Sequence, residues 1–339
     1  MRIAALSFRL GEADGVSVES DKWAKAWAHL GCDVVTVAGS GRADRLVPGL
    51  AWGAAAPPAR AEVDGALADV DLVVVENLLS LPLQPSASAV VADVLRGRPA
   101  ILRHHDLPWQ RPRFADAPPP PDDPAWAHVT INRRSAAQLA ERCRIEAVTI
   151  YNRFMVDPPR VDRAAARAAL GLAPDGLLVL QPTRAIERKD VPAGVRLAEA
   201  LGAAYWLTGP AEEGYGQVLA SVLDAARVPV LHRPVAPGQM HLAYAACDIV
   251  AFPSTAEGFG NPVIESAVHR RPLAVADYPV LRELAEFGFR WFPAASPSAW
   301  RSVDDSALSA NGELARRHFS LADLPAALEA LCQRQGWKL

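Results

Sequence analysis

The feature that most constrains this chain is an alternation that runs along it, breaks once and starts again. Short apolar runs at 3–8, 33–37, 72–75, 100–102, 129–131 and 147–150 alternate with helical patterns, the clearest at 18–30 and 87–95. Unbroken runs such as Leu72-Val73-Val74-Val75 suit strands of a parallel sheet that helices cover on both faces. At Val156-Asp157-Pro158-Pro159-Arg160 the pattern stops, because proline lacks the amide hydrogen and restricts the residue before it. It resumes with strands at 177–180, 204–207, 228–231 and 248–252, and helices at 191–200, 217–226 and 240–246. The reading is α/β, two doubly wound units in series. A length of 339 residues agrees, at roughly 150 residues per domain. Ligands gather at the carboxyl ends of such strands, so a cleft between the units is the expected binding place. A second proline-rich stretch, 116–124, precedes the strand at 129–131 and reads as a surface loop of the first unit.

The densest chemistry is the run Pro253-Ser254-Thr255-Ala256-Glu257-Gly258-Phe259-Gly260-Asn261-Pro262-Val263-Ile264-Glu265-Ser266-Ala267. It reads as a strand end, a glycine-bearing loop, and a helix with Pro262 near its first turn, where proline is tolerated. Glycines let the backbone approach a ligand, and helix-start amides attract anions. Glu257 on the loop and Glu265 in the helix, seven residues between them, can grip two polyol parts of one ligand. A capping Glu and a surface Glu are the plain alternative for two glutamates alone. The whole fifteen-residue run weighs against it.

Upstream, Gln181-Pro182-Thr183-Arg184-Ala185-Ile186-Glu187-Arg188-Lys189-Asp190 sets Arg184 past a strand and Lys189 at the start of a helix. Two such cations can hold an anionic group without a metal. The loop from Arg9 to Ser17 carries Gly11, Asp14 and Gly15 but is not a G-x-G-x-x-G fingerprint. Leu102-Arg103-His104-His105-Asp106 ends another strand, and Trp109, Gln110, Arg111 and Arg113 follow it. This arginine-rich edge suits a carboxylate or phosphate, which guanidinium binds bidentately; a solvated surface loop is the equal alternative. Glu76-Asn77, just past the strand at 72–75, also lies where an acceptor side would be lined.

Together these residues resemble the GT-B glycosyltransferases of family 4, whose E-x7-E segment the PS…EGFG…P…E run matches. The resemblance implies two Rossmann-like domains facing across a cleft. Residues 1–157 would form the acceptor domain and 158–318 the nucleotide-sugar donor domain, with a C-terminal helix in 319–339 crossing back to the first. It implies that Glu257 contacts the donor sugar near the reacting centre and Glu265 holds the ribose hydroxyls. Phe259, Gly260 and Asn261 would offer backbone amides. Arg184 and Lys189 would grip the diphosphate, although Asp190 stands where glycine is usual. Gly15 would pack against the donor phosphates, while Asp14, replacing one glycine of the usual pair, is expected to face acceptor or solvent. His105 would sit near the donor sugar, completing a catalytic set with Glu257, Arg184 and Lys189. Arg103, Arg111, Glu76 and Asn77 are the expected acceptor-binding residues. The likeness is dense across 148–293 and sparse before, as expected if the first domain sets acceptor specificity.

The implied activity is retaining, metal-independent transfer of a hexose from a nucleotide-diphosphate sugar to a hydroxyl acceptor. An inverting route needs a base across the sugar ring, and the sequence offers no clear one. A small anionic acceptor such as glycerate, phosphoglycerate or a glycosylglycerate fits the arginine edge. A sugar-nucleotide 2-epimerase of the same fold and a non-catalytic nucleotide-sugar-binding module are the alternatives, since fold does not fix function. No cofactor and no metal are expected. Asp69-Val70-Asp71 spells D-x-D but precedes its apolar run and reads as a helix exit. A formal net charge of −3 provides no global field for nucleic acid. No apolar run is long enough to span a bilayer, and the mixed charge of Glu19, Asp21, Lys22 and Lys25 argues against peripheral membrane docking. Cys32, Cys143, Cys247 and Cys332 show no zinc spacing and read as reduced thiols, which suits the cytoplasm.

Overall fold

The computed structural model describes residues 1–12, 14–236 and 238–339. It divides into two units, Met1–Arg153 with Leu321–Leu339, and Phe154–Ser320.

The first unit runs β1 (Arg2–Leu10), α1 (Gly15–His29), β2 (Asp33–Gly41), β3 (Arg45–Leu46), α2 (Arg60–Ala66), β4 (Leu72–Glu76), α3 (Pro85–Leu95), β5 (Ala100–His104), β6 (Trp126–Thr130), α4 (Arg133–Cys143) and β7 (Ala147–Thr149). Its strands are ordered β3-β2-β1-β4-β5-β6-β7, all pairs parallel. The order reverses between β1 and β4, which opens a crevice at their carboxyl ends. Alternate residues of β4 serve opposite faces, as strand geometry dictates. Val73 and Val75 pack with Val63, Leu67, Val91 and Leu95, while Leu72 and Val74 pack with Trp23 and Trp27 of α1. β6 begins at Trp126, three residues before the apolar run suggested, because buried His128 and Thr130 interrupt its hydrophobic pattern.

The second unit continues with α5 (Arg163–Ala169), β8 (Leu178–Gln181), α6 (Val191–Leu201), β9 (Ala204–Leu207), α7 (Gly216–Asp224), β10 (Val230–His232), α8 (Met240–Ala246), β11 (Ile249–Phe252), α9 (Asn261–Val268), β12 (Leu273–Val275), α10 (Pro279–Ala285), β13 (Phe292–Pro293) and α11 (Asp305–Phe319). Its strands are ordered β10-β9-β8-β11-β12-β13, again all parallel, with the reversal between β8 and β11. β12 and the edge strand β13 have three and two residues, too few to show a period in the sequence. α11 stops at Phe319 and a separate α12 (Leu324–Gln335) follows, where one helix over 319–336 was expected. α12 buries Leu324, Leu328, Leu331 and Cys332 in the cluster that holds Trp23 and Trp27, so it completes the α1 face of the first unit.

Asp69 and Asp71 lie at the amino end of β4, opposite the crevice. Asp69 pairs with Arg45 and Arg2, and Asp71 accepts from the Arg2 amide at 2.7 Å. Among the described residues no helix is long and apolar enough to cross a membrane.

A buried chain of polar groups crosses β5 and β6. Ser80 Oγ lies 2.5 Å from His104 Nδ1, His104 Nε2 lies 2.9 Å from His128 Nδ1, and His128 Nε2 lies 3.1 Å from Asp122. One proton arrangement satisfies every link: His128 donates to Asp122, His104 to His128, and Ser80 to His104, with both rings neutral. Burial pushes the His104 pKa well below its ordinary value, and burial lowers His128 despite Asp122. The unfolded chain therefore takes up these protons first, so stability is full above pH ~6.5 and falls as pH drops below it, by up to about 1.4 kcal/mol per pH unit per histidine. Urea denaturation at several pH values is expected to show this loss, and His104→Asn should lower stability at neutral pH while flattening the acid slope.

Candidate active site

In the second unit the site is built around the β8/β11 reversal. Glu257 leaves β11 on a loop, and its side chain is 8 % exposed. Arg188 Nη1 donates to Glu257 Oε2 at 2.8 Å, and Lys189 Nζ donates to Oε1. Arg188 also donates to the Ala256 carbonyl at 2.8 Å, while the Thr255 amide donates to the Arg188 carbonyl at 2.9 Å. The turn after β8 and the loop after β11 are thereby laced together. Burial by itself would raise the Glu257 pKa, but Lys189 and Arg188 outweigh it and hold the carboxyl below its ordinary value. Burial pushes Lys189 down to about 8, Glu257 opposing and Arg188 adding to the shift. Glu257 is an anion at neutral pH, and Lys189 is a cation close to losing its proton.

Lys189 ends a short 3-10 turn, Glu187–Lys189, and its carbonyl accepts from Gln181 Nε2 at 2.9 Å. Gln181 is fully buried at the end of β8, and Tyr205 of β9 donates to its Oε1 at 2.8 Å. Asp190 takes the left-handed backbone, φ 44°, and caps α6 by accepting from the Ala193 amide. That conformation is the reason glycine is usual there; Asp tolerates it better than most residues. Arg184 turns away from Glu257 and pairs with Glu212 at 2.6 Å.

α9 begins at the end of the Glu257 loop. Gly260 precedes it at φ 98°, and a Cβ there would lie 2.2 Å from Tyr278 Oη, so only glycine fits. Its lack of a side chain leaves the helix start without a side-chain cap. Phe259 is buried, its ring centroid 6.2 Å from Phe154 and 6.0 Å from Phe319, so the side chain anchors the loop, and its carbonyl accepts from Tyr278 Oη at 3.3 Å. Asn261 opens the helix. Glu265, one face further along α9, accepts from Tyr244 Oη at 2.6 Å.

In the first unit the corresponding ends are those of β1, β4 and β5. Arg103 is fully buried. It donates to Glu76 at 3.2 Å, Glu19 at 3.2 Å and Asn152 at 3.3 Å, and its guanidinium lies 4.3 Å from the Trp23 ring centroid. Glu76, also fully buried, accepts from His105 Nε2 at 2.7 Å. Burial would raise Glu76, but Arg103 and His105 more than offset it and the pKa is lowered. Asn77, at φ 61°, accepts from the amides of His105 and Asp106 and so fixes the loop after β5. Arg103, Glu76 and Asn77, expected on the acceptor side, are buried and bonded within the unit. These side chains face inward and hold His105 in place, because a buried charge must spend its bonds on partners. Arg111 pairs with Asp106 at 2.7 Å.

Asp14 caps α1, accepting from the amides of Val16 and Ser17 and from the Ser17 hydroxyl, and its side chain is largely buried. Gly15 has nothing within 4 Å of where a Cβ would stand, so packing within the unit does not demand it. Arg188, Gln181 and Tyr244 are site residues that motif reading passed over. A polar Gln closing an apolar strand and a second cation beside Lys189 were the available signals.

Removing Arg103 leaves Glu19 and Glu76 buried with one fewer cation. Arg103→Met is expected to cost about 3–5 kcal/mol in urea denaturation, far more than an exposed arginine would.

No protein-family model matches the chain. The mannosylglucosylglycerate synthase of Thermotoga maritima is 26 % identical, the match covering 83 % of this chain and 82 % of that one. The D-inositol 3-phosphate glycosyltransferase of Nocardia farcinica is 32 % identical over 42 % of this chain and 37 % of its own. Among solved structures, Anabaena HepE in complex with UDP-glucose superposes with a TM-score of 0.73 at 18 % identity, covering 98 % of this chain and 100 % of that one. Two parallel doubly wound sheets, a carboxylate-and-cation site at the reversal of the second, and these relatives make the chain a glycosyltransferase of the GT-B fold.

Proposed function

We propose that this glycosyltransferase moves a hexose with retention of configuration, and without a metal, from a nucleotide-diphosphate sugar to a small anionic acceptor of the glycerate type. The observation that carries the reading is Glu257 gripped by Arg188 and Lys189, with Glu265 on the helix that follows. In this reading Glu257 takes the donor sugar and Glu265 the ribose. Lys189 has three donors and Arg184 a five-donor fork, so each can turn toward a diphosphate while keeping a carboxylate partner. The acceptor hydroxyl attacks from the face the leaving group departs. The C1–oxygen bond to the diphosphate breaks, a new C1–oxygen bond forms, and the acceptor proton passes to the departing phosphate oxygen. Arg184, Lys189 and the start of α9 absorb the leaving charge, and the Glu257 anion opposes the positive charge on the ring. His105, held by Glu76, serves the donor sugar. The name of the Thermotoga maritima relative supports a glycosylated glycerate as acceptor. Four free thiols suit a reducing compartment such as the cytoplasm.

The test is release of nucleoside diphosphate from UDP-, GDP- and ADP-sugars in EDTA, with and without glycerate, phosphoglycerate and glucosylglycerate. Acceptor-dependent release that survives EDTA, falls at least about a hundredfold in Glu265→Ala and gives product of the donor's anomeric configuration is expected. Donor epimerisation without acceptor, or an inverted product, would overturn the reading.

The Lys189 pKa of about 8 sets a pH dependence for the donor. Below that value the ammonium meets the diphosphate; above it a neutral amine does, and affinity for nucleoside diphosphate should fall by up to about tenfold per pH unit. Calorimetric titration from pH 7 to 9.5 is expected to show the fall, and Lys189→Arg should flatten it.

A further inference from the structure

The arginines after β5 are not equivalent. Arg103 is buried and Arg111 is paired with Asp106, whereas Arg113 is exposed and, among the described residues, shows no carboxylate partner. Its guanidinium instead lies 6.0 Å from the ring centroid of Trp52 and 5.2 Å from that of Phe114. Trp52 is 55 % exposed, on a chain where Trp23, Trp27 and Trp206 are buried. A half-exposed aromatic face beside a cation with no carboxylate partner offers stacking and anion binding side by side.

Both side chains stand on anchored backbone. A Cβ on Gly39 of β2 would come within 2.0 Å of the Ala51 nitrogen, and one on Gly49 within 2.3 Å of the Pro58 nitrogen, so the Trp52 loop is pressed onto the strand that precedes it. Gln84, in the connection from β4 to α3, donates to the Ala54 carbonyl at 3.0 Å. On the other side Arg113 lies in a 3-10 turn, Pro112–Phe114, whose Phe114 amide donates to the Arg111 carbonyl at 2.8 Å. The two loops leave β3 and β5, and Gln84 ties the first of them to the connection leaving β4. Preformed groups bind with less ordering cost than mobile ones.

We infer that Trp52 and Arg113 form an acceptor subsite for a pyranoside that bears a carboxylate. The inference rests on the glycerate-type acceptor reading and names the residues that would deliver it. The apolar C–H face of the sugar stacks on the Trp52 ring, and the carboxylate takes the bidentate fork of Arg113. The Trp52 ring keeps the guanidinium beside the stacking face, 6.0 Å from its centroid.

The test is ligand-observed NMR titration of the full chain with three probes: glucosylglycerate, uncharged glucosylglycerol, and glycerate without a sugar. Wild type should bind glucosylglycerate most tightly. Arg113→Gln should weaken glucosylglycerate about tenfold and leave glucosylglycerol unchanged, as expected for loss of a charged hydrogen-bond pair. Trp52→Ala should weaken both sugars and leave glycerate unchanged. Both residues are exposed, so melting temperature and nucleotide-sugar affinity should stay at wild-type values, which separates lost contact from lost fold. Variants that bind all three probes as wild type does, or lose them equally, overturn the subsite. If the wild type still transfers hexose to glucosylglycerate in that case, the proposed function stands without it. A wild type that shows the expected binding pattern but transfers to none of the probes supports the subsite and overturns the function, and one that binds none overturns both.

Discussion

Glu257 can hold a negative charge inside the second unit only because two cations meet it there. Each of its oxygens has its own partner, Arg188 on one and Lys189 on the other. Those cations arrive from the turn after β8, while the carboxylate arrives from the loop after β11, the two strands that flank the sheet reversal. Remove the pair and the carboxyl would face burial uncompensated; remove the carboxylate and two cations would repel across a small space. The geometry of both loops therefore depends on charge neutrality as much as on the backbone.

The first unit solves a similar problem with the signs exchanged. There one cation, Arg103, lies between two acids, Glu19 of α1 and Glu76 at the end of β4. Lys22 pairs with Glu19 on one side, and His105 Nε2 bonds Glu76 on the other. Because Glu76 is satisfied from within, it can orient His105 through a single strong contact. A buried ion network of this kind adds little net stability but fixes one arrangement against others. The same strand order, reversed at the same relative place, thus carries an acid among bases in one half and a base among acids in the other.

Much of this was legible in the sequence, for a physical reason. Strands covered on both faces must be apolar throughout, so β4, β5 and β11 announce themselves, and the prolines at 158 and 159 mark where one pattern ends. The E-x7-E run was equally clear, since loop glycines, Pro262 and both glutamates sit in one contiguous stretch. The start of β6 was hidden because buried His128 breaks its apolar run and meets His104 only across strands, which no local pattern records. The inward packing of Arg103, Glu76 and Asn77 was not legible for a related reason. Charged residues at strand ends look alike in sequence whether they point into the sheet or out of it. Arg188 was passed over because its meaning depends on Glu257, 69 residues away. Asp14 looked like a defect in a glycine loop until the helix it caps was seen.

Asp190 has a quieter consequence. Its left-handed backbone, tied to the Ala193 amide, occupies the position directly after Lys189. A glycine there would reach the same shape but would leave the unfolded chain, and the loop in its open excursions, many more conformations to explore. With aspartate the turn is restricted from both sides, by Gln181 on the Lys189 carbonyl and by the cap on α6. The ammonium is consequently held on Glu257 by a turn that is stiff before any ligand arrives, and the direction of one charge is set by the backbone of the residue beside it.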